Sequence, residues 1–228
     1  MENIKKNASS FWEKFSLRKD LSSNSLMNLE TDSNLSLEKF NLEKKILLEK
    51  INLNPLWNVV DLGGGIGNWS KYFSRYVNQV YLVEKQKNFL DIALKKNYSE
   101  NINYINISAD NFTLEKESID LVFCSGLSIY LDDFSFNNLI INSKKYLKKN
   151  GLFIHRDAYG VDGEFLVNNF SKKLNSKYSA IYRSREQYKS FFELKNNFKL
   201  ISDEDMYPKD SEFNKWNETR LRLAIYKK

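Results

Sequence analysis

Three features of the sequence predict an α/β protein: a doubly wound, mostly parallel seven-stranded sheet with an antiparallel last strand, preceded by N-terminal helices. From Trp57 onward, short apolar runs alternate with segments of helical period, the signature of a parallel sheet with helices on both faces. The stretch Trp57-Asn-Val-Val-Asp61-Leu-Gly-Gly-Gly-Ile-Gly67-Asn-Trp69 reads as a strand ending on a carboxylate, a glycine-rich turn and the start of a helix. At the far end Leu221, Leu223 and Ile225 alternate with Arg222, Ala224 and Tyr226, as expected of an antiparallel strand.

Taken in order, the chain begins with a capping box, Ser10-Phe-Trp-Glu13, that predicts a short helix with Phe11, Trp12 and Phe15 on one face. A helix that short must dock to persist. Ser22 to Ser36 is rich in Ser and Asn and reads as a connector, after which Ser36 is expected to cap a helix whose Leu37, Phe40, Lys44, Leu47, Leu48 and Ile51 follow helical spacing. Val59 and Val60 form the first strand. Trp69, Tyr72, Phe73 and Tyr76 then fall at i, i+3, i+4, i+7, an apolar helix stripe.

Strands follow at Val80–Val83, ending on Glu84, at Ile102–Ile107 and at Ile119–Cys124, with a helix containing Phe89, Ala93 and Leu94 after the first of these. A helix from Phe134 to Lys149 is expected to stop at Asn150-Gly151, and Leu152–Ile154 makes a fifth strand leading to His155-Arg156-Asp157. Residues 158–183 show no clear period and are too long for an ordinary connection, which points to a functional segment. Ser184-Arg-Glu-Gln187 is a second capping box, before Tyr188, Phe191 and Phe192; Phe198–Ile201 and Thr219–Tyr226 are the last strands. Residues 1–54 are thus expected to form an N-terminal helical extension, a lid, over a main domain at 55–228 with a substrate-covering insert at about 158–183.

Composition bounds the chemistry. The 228 residues suffice for one domain with a full core, and 42% hydrophobic with 14% aromatic content argues against disorder. The net charge of +6 comes from basic residues spread through the chain, so a phosphate-bearing substrate is permitted without being demanded. Cys124 is the single cysteine and His155 the single histidine, which excludes an intrachain disulfide, fits a reducing compartment and leaves too few ligands for a transition-metal cluster, so no metal is expected. The apolar run Leu121–Leu131 is too short to span a bilayer, and the N-terminus lacks the apolar region of a secretory signal. These observations predict a cytoplasmic protein without membrane partners, and leave its oligomeric state open.

The glycine turn discriminates between ligands. Backbone N–H groups at the start of a helix form a ready site in the crevice above the strands. A dinucleotide fingerprint, G-x-G-x-x-G, would need a glycine at Asn68 when counted from Gly63 and Gly65, so an NAD-dependent enzyme is disfavoured. The spacing Asp61-Leu-Gly63-Gly-Gly65-Ile-Gly67 instead resembles motif I of the class I, Rossmann-like S-adenosylmethionine-dependent methyltransferases. The resemblance runs from about residue 55 to the C-terminus: Glu84 closes strand two where the family holds both ribose hydroxyls, Asp110-Asn111 sits where the adenine-side acid is expected, and Asp120-Leu-Val-Phe-Cys124-Ser-Gly126 matches the strand-four motif lining the methionine end. It implies S-adenosylmethionine as cofactor and S-adenosylhomocysteine as product. The implied cofactor-binding residues are Asp61, Gly63, Gly64, Gly65, Gly67, Glu84, Lys85, Asp110, Asn111, Cys124 and Gly126.

Methyl transfer from a sulfonium needs alignment, desolvation and, for an oxygen nucleophile, a base. His155, with an ordinary pKa at the end of strand five, is the expected base; Asp157 and Tyr130 share its rim. Arg156 is placed to grip an acidic group on the acceptor, and Trp12, Tyr159, Tyr182 and Arg183 to line its site. Strand four is followed by Cys-Ser-Gly-Leu rather than a Pro-Pro-aromatic motif, Cys124 has no preceding proline, and no paired-glutamate loop follows; base-amine, cytosine-ring and arginine methylation are therefore disfavoured. What remains is an oxygen or nitrogen of a small-molecule or glycan-type acceptor. An RNA or protein methyltransferase is the alternative, and a binding module without catalysis a further one.

Overall fold

The computed structural model describes residues 2–18, 33–97, 99–172, 175–214 and 216–228. Helices α1 (Glu2–Ser16) and α2 (Ser33–Lys50) precede the sheet. Then come β1 (Asn58–Leu62), α3 (Asn68–Phe73), β2 (Gln79–Val83), α4 (Lys87–Asn97), β3 (Ile102–Ile105), β4 (Ile119–Ser125) and α5 (Asp133–Tyr146). The chain closes with β5 (Leu147–Gly160), β6 (Phe165–Ser171), β7 (Ser176–Tyr182), α6 (Arg185–Lys189) with a π-turn at Ser190–Lys195, β8 (Lys199–Asp205) and β9 (Thr219–Lys227). The seven-stranded sheet has the order β3-β2-β1-β4-β5-β9-β8. Strands β1 to β5 pair in parallel, and β9 enters antiparallel between β5 and β8. This is the doubly wound, mostly parallel architecture with an antiparallel last strand that the alternation predicted.

Alternate residues of each strand face opposite layers. Val60, Leu62, Val122, Cys124 and Phe153 pack against α5 and the α6 turn through Phe136, Leu139, Tyr188 and Phe192. Val59, Leu82, Leu121, Phe123 and Ile154 pack on the other face against α2, α3 and α4 through Leu47, Trp69, Phe73 and Ala93. Helix α2 therefore belongs to the core, with Leu47 and Glu43 fully buried.

Several boundaries differ from the sequence expectation. Helix α1 runs from Glu2, so Ser10 lies inside it rather than capping it; Ala8, Phe11 and Phe15 form a longer buried stripe than the capping box implied. Helix α2 begins at Ser33, leaving Ser36 buried within it. The expected connector from Ser22 lies mostly outside the described residues. Tyr76 falls beyond the end of α3 and is exposed. Helix α5 ends at Tyr146, and β5 is fourteen residues long rather than three, because it pairs with β4 at Leu147 and from Leu152 to Arg156 and with β9 from Leu152 to Gly160. The aperiodic segment 158–183 is the end of β5 plus a hairpin, β6–β7, forming a separate two-stranded sheet. The second capping box is present, with Ser184 and Gln187 exchanging both hydrogen bonds.

Phe136 is the hub of the α5 face, with its ring against His155, Tyr188, Phe191 and Phe192. Phe136→Ala is expected to lower unfolding free energy by about 3–5 kcal/mol, seen as a lower urea midpoint at unchanged denaturant dependence.

Candidate active site

Parallel pairing brings the carboxyl ends of the strands to one edge, and the glycine turn lies there. Gly63 and Gly64 both donate to the Val83 carbonyl, tying the turn to the end of β2. Gly65 has φ +56°, and a Cβ built there would meet nothing of the described residues within 4 Å; the backbone is bare toward an open space. At Gly64 a Cβ would lie 2.9 Å from both Asp61 Oδ2 and Leu82 Cγ, so only glycine lets the turn close onto β1. Asp61 is buried and accepts a 2.6 Å hydrogen bond from Ser70 Oγ, joining β1 to α3. Burial raises its pKa to about 6, against the lowering effect of Ser70.

Glu84 faces the same space. Its Oε2 accepts from the Gly65 N–H at 3.0 Å and its Oε1 from the Gln86 N–H at 2.7 Å, which orients the carboxylate and leaves each oxygen one further lone pair. Burial lifts its pKa to about 7, with the Asp61 charge adding to the rise and backbone donors opposing it. Asp110 accepts from Lys5 Nζ at 2.7 Å and from Ser108 Oγ, and its pKa is lowered by these donors despite burial. Asn111 is exposed beside it. Cys124 is fully buried, its thiol pushed up by burial. Gly126 is at φ +62° with open space above it.

Helix α1 crosses this edge. Phe11 and Phe15 bury against Ile66 of the glycine turn and Phe89 of α4. Trp12 stands edge-on to Tyr130 at 5.2 Å, its buried indole N–H without a partner among the described residues. Lys5 also donates to Ser135 Oγ, Lys85 to Ser9 Oγ and Asn7 to Ser179 Oγ. An open groove of about 460 Å³ between α1, Lys85 and Asp132 is lined by Lys5, Lys6, Ser9 and Glu13.

On the acceptor side the structure rearranges the expected roles. His155 is 0% exposed, its Nδ1 2.8 Å from Tyr159 Oη and its Nε2 2.9 Å from Ser128 Oγ. Burial, helped by the Arg183 charge, lowers its pKa to about 3. The expected rim base with an ordinary pKa is thus a neutral core imidazole, because β5 continues past it to Gly160. Arg156 lies on the opposite face, paired with Glu43 of α2, which also accepts from Tyr207, and donates to Ser125 Oγ at 3.0 Å. It is committed to this buried pair, with Glu43 Oε2 and Arg156 Nε unpartnered among the described residues. Tyr159 is a core residue packed on Tyr188. Arg183, 0% exposed, donates to Asp133 Oδ1 and to the Ser128 and Leu131 carbonyls; it braces the loop after β4 rather than lining a site.

Asp157, Tyr130 and Tyr182 do converge. Asp157 accepts from the Ser128 N–H (2.9 Å), Ser128 Oγ (2.7 Å) and Ala158 N–H (3.0 Å), and burial raises its pKa. Tyr130, Tyr178 and Tyr182 form a run of hydroxyls, each 3.2 Å from the next, and the Asp157 charge adds to the burial that raises all three pKa values. Lys5, Ser128 and Tyr178 were not legible as site residues, having no periodic or spacing signal. Among the described residues no group of three or more His, Cys, Asp or Glu could hold a metal ion, and no helix is long and apolar enough to cross a membrane.

The fold and the glycine cradle define the class I α/β methyltransferase architecture. Residues 59–151 match the family model described as a methyltransferase domain. Among curated proteins, the chain is 29% identical over 164 residues to phosphoethanolamine N-methyltransferase 1 of Caenorhabditis elegans, covering 69% of this chain and 32% of that protein. It is also 29% identical over 168 residues to ribosomal RNA large subunit methyltransferase E of Wigglesworthia glossinidia brevipalpis, covering 65% and 78%. The chain thus spans about a third of the length of the phosphoethanolamine enzyme. Among solved structures, phosphoethanolamine N-methyltransferase 1 of Haemonchus contortus superposes at TM-score 0.73 and 17% identity over all of this chain and 50% of that one. A Leishmania major S-adenosylmethionine-dependent methyltransferase superposes at 0.73 and 18%, over 98% and 82%.

The raised carboxylates predict a pH dependence. Glu84 folded, with a pKa of about 7, keeps a proton that the unfolded chain, near 4.5, has released. Folding stability therefore falls as pH rises from about 4.5 through 7, and Asp61 acts with the same sign. Glu84→Gln is expected to flatten that fall by about 2–3 kcal/mol, measured by urea unfolding at pH 5 and pH 8.

Proposed function

We propose that the chain is an S-adenosylmethionine-dependent methyltransferase acting on the nitrogen of a small-molecule acceptor. The observation that carries this reading is the bare backbone at Gly65 facing open space beside the buried, oriented Glu84 carboxylate. S-adenosylmethionine supplies a methyl group on a sulfonium and leaves as S-adenosylhomocysteine. In this reading the free lone pairs of Glu84 accept the ribose hydroxyls, Asp110 the adenine amine, and Gly126 opens the methionine end. Asp157, beside the hydroxyls of Tyr130, Tyr178 and Tyr182, holds the acceptor and takes its proton; a carboxylate raised by burial suits that task. The names of the phosphoethanolamine N-methyltransferases among the relatives support an amine acceptor. Helix α1 serves as the cover that excludes water, Trp12 closing over Tyr130.

The residues set limits on the acceptor. Arg156 and Arg183 are bound to Glu43 and Asp133, so neither stands ready for a phosphate. The lysine-lined groove beside α1 and the ribosomal RNA methyltransferase relative support RNA as the second reading.

Calorimetry is expected to find one site for S-adenosylmethionine, abolished by Gly65→Arg, which fills the open space. Glu84→Ala is expected to weaken it by about 1.5–3 kcal/mol. Because bound ribose favours the ionised Glu84, affinity should rise with pH toward about 7 and then level. Labelled-methyl assays with ethanolamine, phosphoethanolamine and ribosomal RNA then separate the acceptor classes: product from the amines is expected, and transfer to RNA alone, weakening steeply with salt, would overturn the small-molecule reading. In the same assay Trp12→Ala is expected to slow turnover more than tenfold at near-unchanged cofactor affinity; unaltered turnover would leave α1 a purely structural element.

A further inference from the structure

The Ser128 hydroxyl stands at the centre of a buried hydrogen-bonded cluster that includes the one histidine. Ser128 Oγ has three neighbours: Asp157 Oδ2 at 2.7 Å, Tyr188 Oη at 2.9 Å and His155 Nε2 at 2.9 Å. A hydroxyl has one proton and two acceptor sites, and an ionised carboxylate can only accept. Both oxygens of Asp157 already accept backbone donors, Oδ2 from the Ser128 N–H and Oδ1 from the Ala158 N–H, so with the carboxylate in the ionised form that serves as base, Ser128 gives its proton to Asp157 and accepts from both Tyr188 and His155. His155 must then carry its proton on Nε2, and its bare Nδ1 accepts from Tyr159 Oη at 2.8 Å. The direct His155 Nε2 to Asp157 Oδ2 distance is 3.9 Å, too long for a hydrogen bond, so the imidazole acts on the carboxylate through Ser128.

We propose that Tyr159, His155 and Ser128 form a proton-ordered chain, every donor pointing toward Asp157, that holds its carboxylate in one orientation for methyl transfer, with His155 and Ser128 as positioning residues. The chain saturates Oδ2, which also accepts the Ser128 N–H. Among the described residues Oδ1 accepts the Ala158 N–H and retains a further lone pair. A neutral imidazole keeps the first bond of this order, since a protonated Nδ1 would donate to the Tyr159 hydroxyl and reverse it. Burial and the Arg183 charge keep it neutral.

The role rests on the reading of Asp157 as the group that meets the acceptor. The other charges and titratable groups felt by Asp157 are Arg156 on its own strand, Cys124 on β4, Tyr130 in the turn after β4, Tyr178 and Tyr182 on β7, and Tyr188 on α6. Arg156 is fixed by Glu43, and the thiol and phenol groups are all held protonated by burial. Asp157 is the group of this set left to titrate in the acid range.

One histidine makes the test direct. Imidazole ¹⁵N NMR of the wild-type protein is expected to show a single neutral ring protonated on Nε2, unchanged down to about pH 4. A ring protonated on Nδ1, or one that takes up a proton near pH 6, overturns the chain. With the acceptor that turns over in the labelled-methyl assay, Ser128→Ala and His155→Leu are expected to lower kcat at least about tenfold, the loss of a hydrogen bond to a charged group, with cofactor affinity unchanged. The acid limb of the pH–kcat profile should move to higher pH, because an ionised carboxylate has lost a donor. His155→Gln, which restores an N–H near Nε2, should recover most of the rate, and Ser128→Ala with His155→Leu should be little worse than Ser128→Ala alone. Folded His155→Leu with the wild-type acid limb overturns the proposal. Asp157→Asn separates the two failures: full activity in that variant refutes the role of Asp157 itself, whereas its loss of activity with an unmoved His155→Leu profile refutes only the chain. Should the variants fail to fold, the tautomer of the wild-type ring decides.

Discussion

Parallel pairing forces the carboxyl ends of β1 to β5 onto one edge of the sheet, and every chemical feature of this molecule depends on that constraint. Leu62 pairs with both Val83 and Cys124, and Ser125 pairs with Arg156. The residues after those pairs therefore emerge side by side although they lie far apart in sequence: the glycine turn after β1, Glu84 after β2, Asp110 after β3, the Ser128 turn after β4, and Asp157 on β5. The crevice at such an edge is where α/β sheets bind ligands. Here α1 lies across it, its aromatic face meeting the turn itself at Ile66.

The edge is also where carboxylates are buried, and the protein manages each differently. Asp61 is held by Ser70 and serves to join β1 to α3. Glu84 is oriented by two backbone N–H groups yet stays raised, because those donors do not offset its burial. Asp110 has a lysine partner and is lowered. Asp157 receives three donors, two backbone N–H groups and the Ser128 hydroxyl, and the phenols around it are kept protonated by burial. Burial without a paired cation costs stability. Carrying such groups at one edge is the kind of local expense that sites exhibit and cores avoid.

The large cations do the opposite work. Arg183 is fully buried and fastens three points of the loop after β4, and Arg156 fastens β5 to α2 through Glu43. Both are bracing elements, fixing the walls within which Asp157 and the tyrosines sit. Removing one partner of such a pair strands the other charge in the core, so these residues act through the packing of β5, α2 and the turn after β4.

The sequence by itself determined the sheet, its antiparallel last strand, the glycine cradle and Glu84, because these are local: apolar period, glycine spacing and a carboxylate at a strand end are written within a few residues. It also singled out Phe11 and Phe15 as a face needing a surface, and Ser184 with Gln187 as a helix start. Only the tertiary structure decided the fate of His155, Arg156, Tyr159 and Arg183. Their residue types suited a rim, but whether a side chain on β5 meets solvent or core depends on how far the strand remains paired, and β9 and β4 pair it well past the expected end. Ser128 was silent for the same reason: a lone serine in a turn becomes significant only when β5 and α6 bring His155, Asp157 and Tyr188 within 3 Å of its hydroxyl.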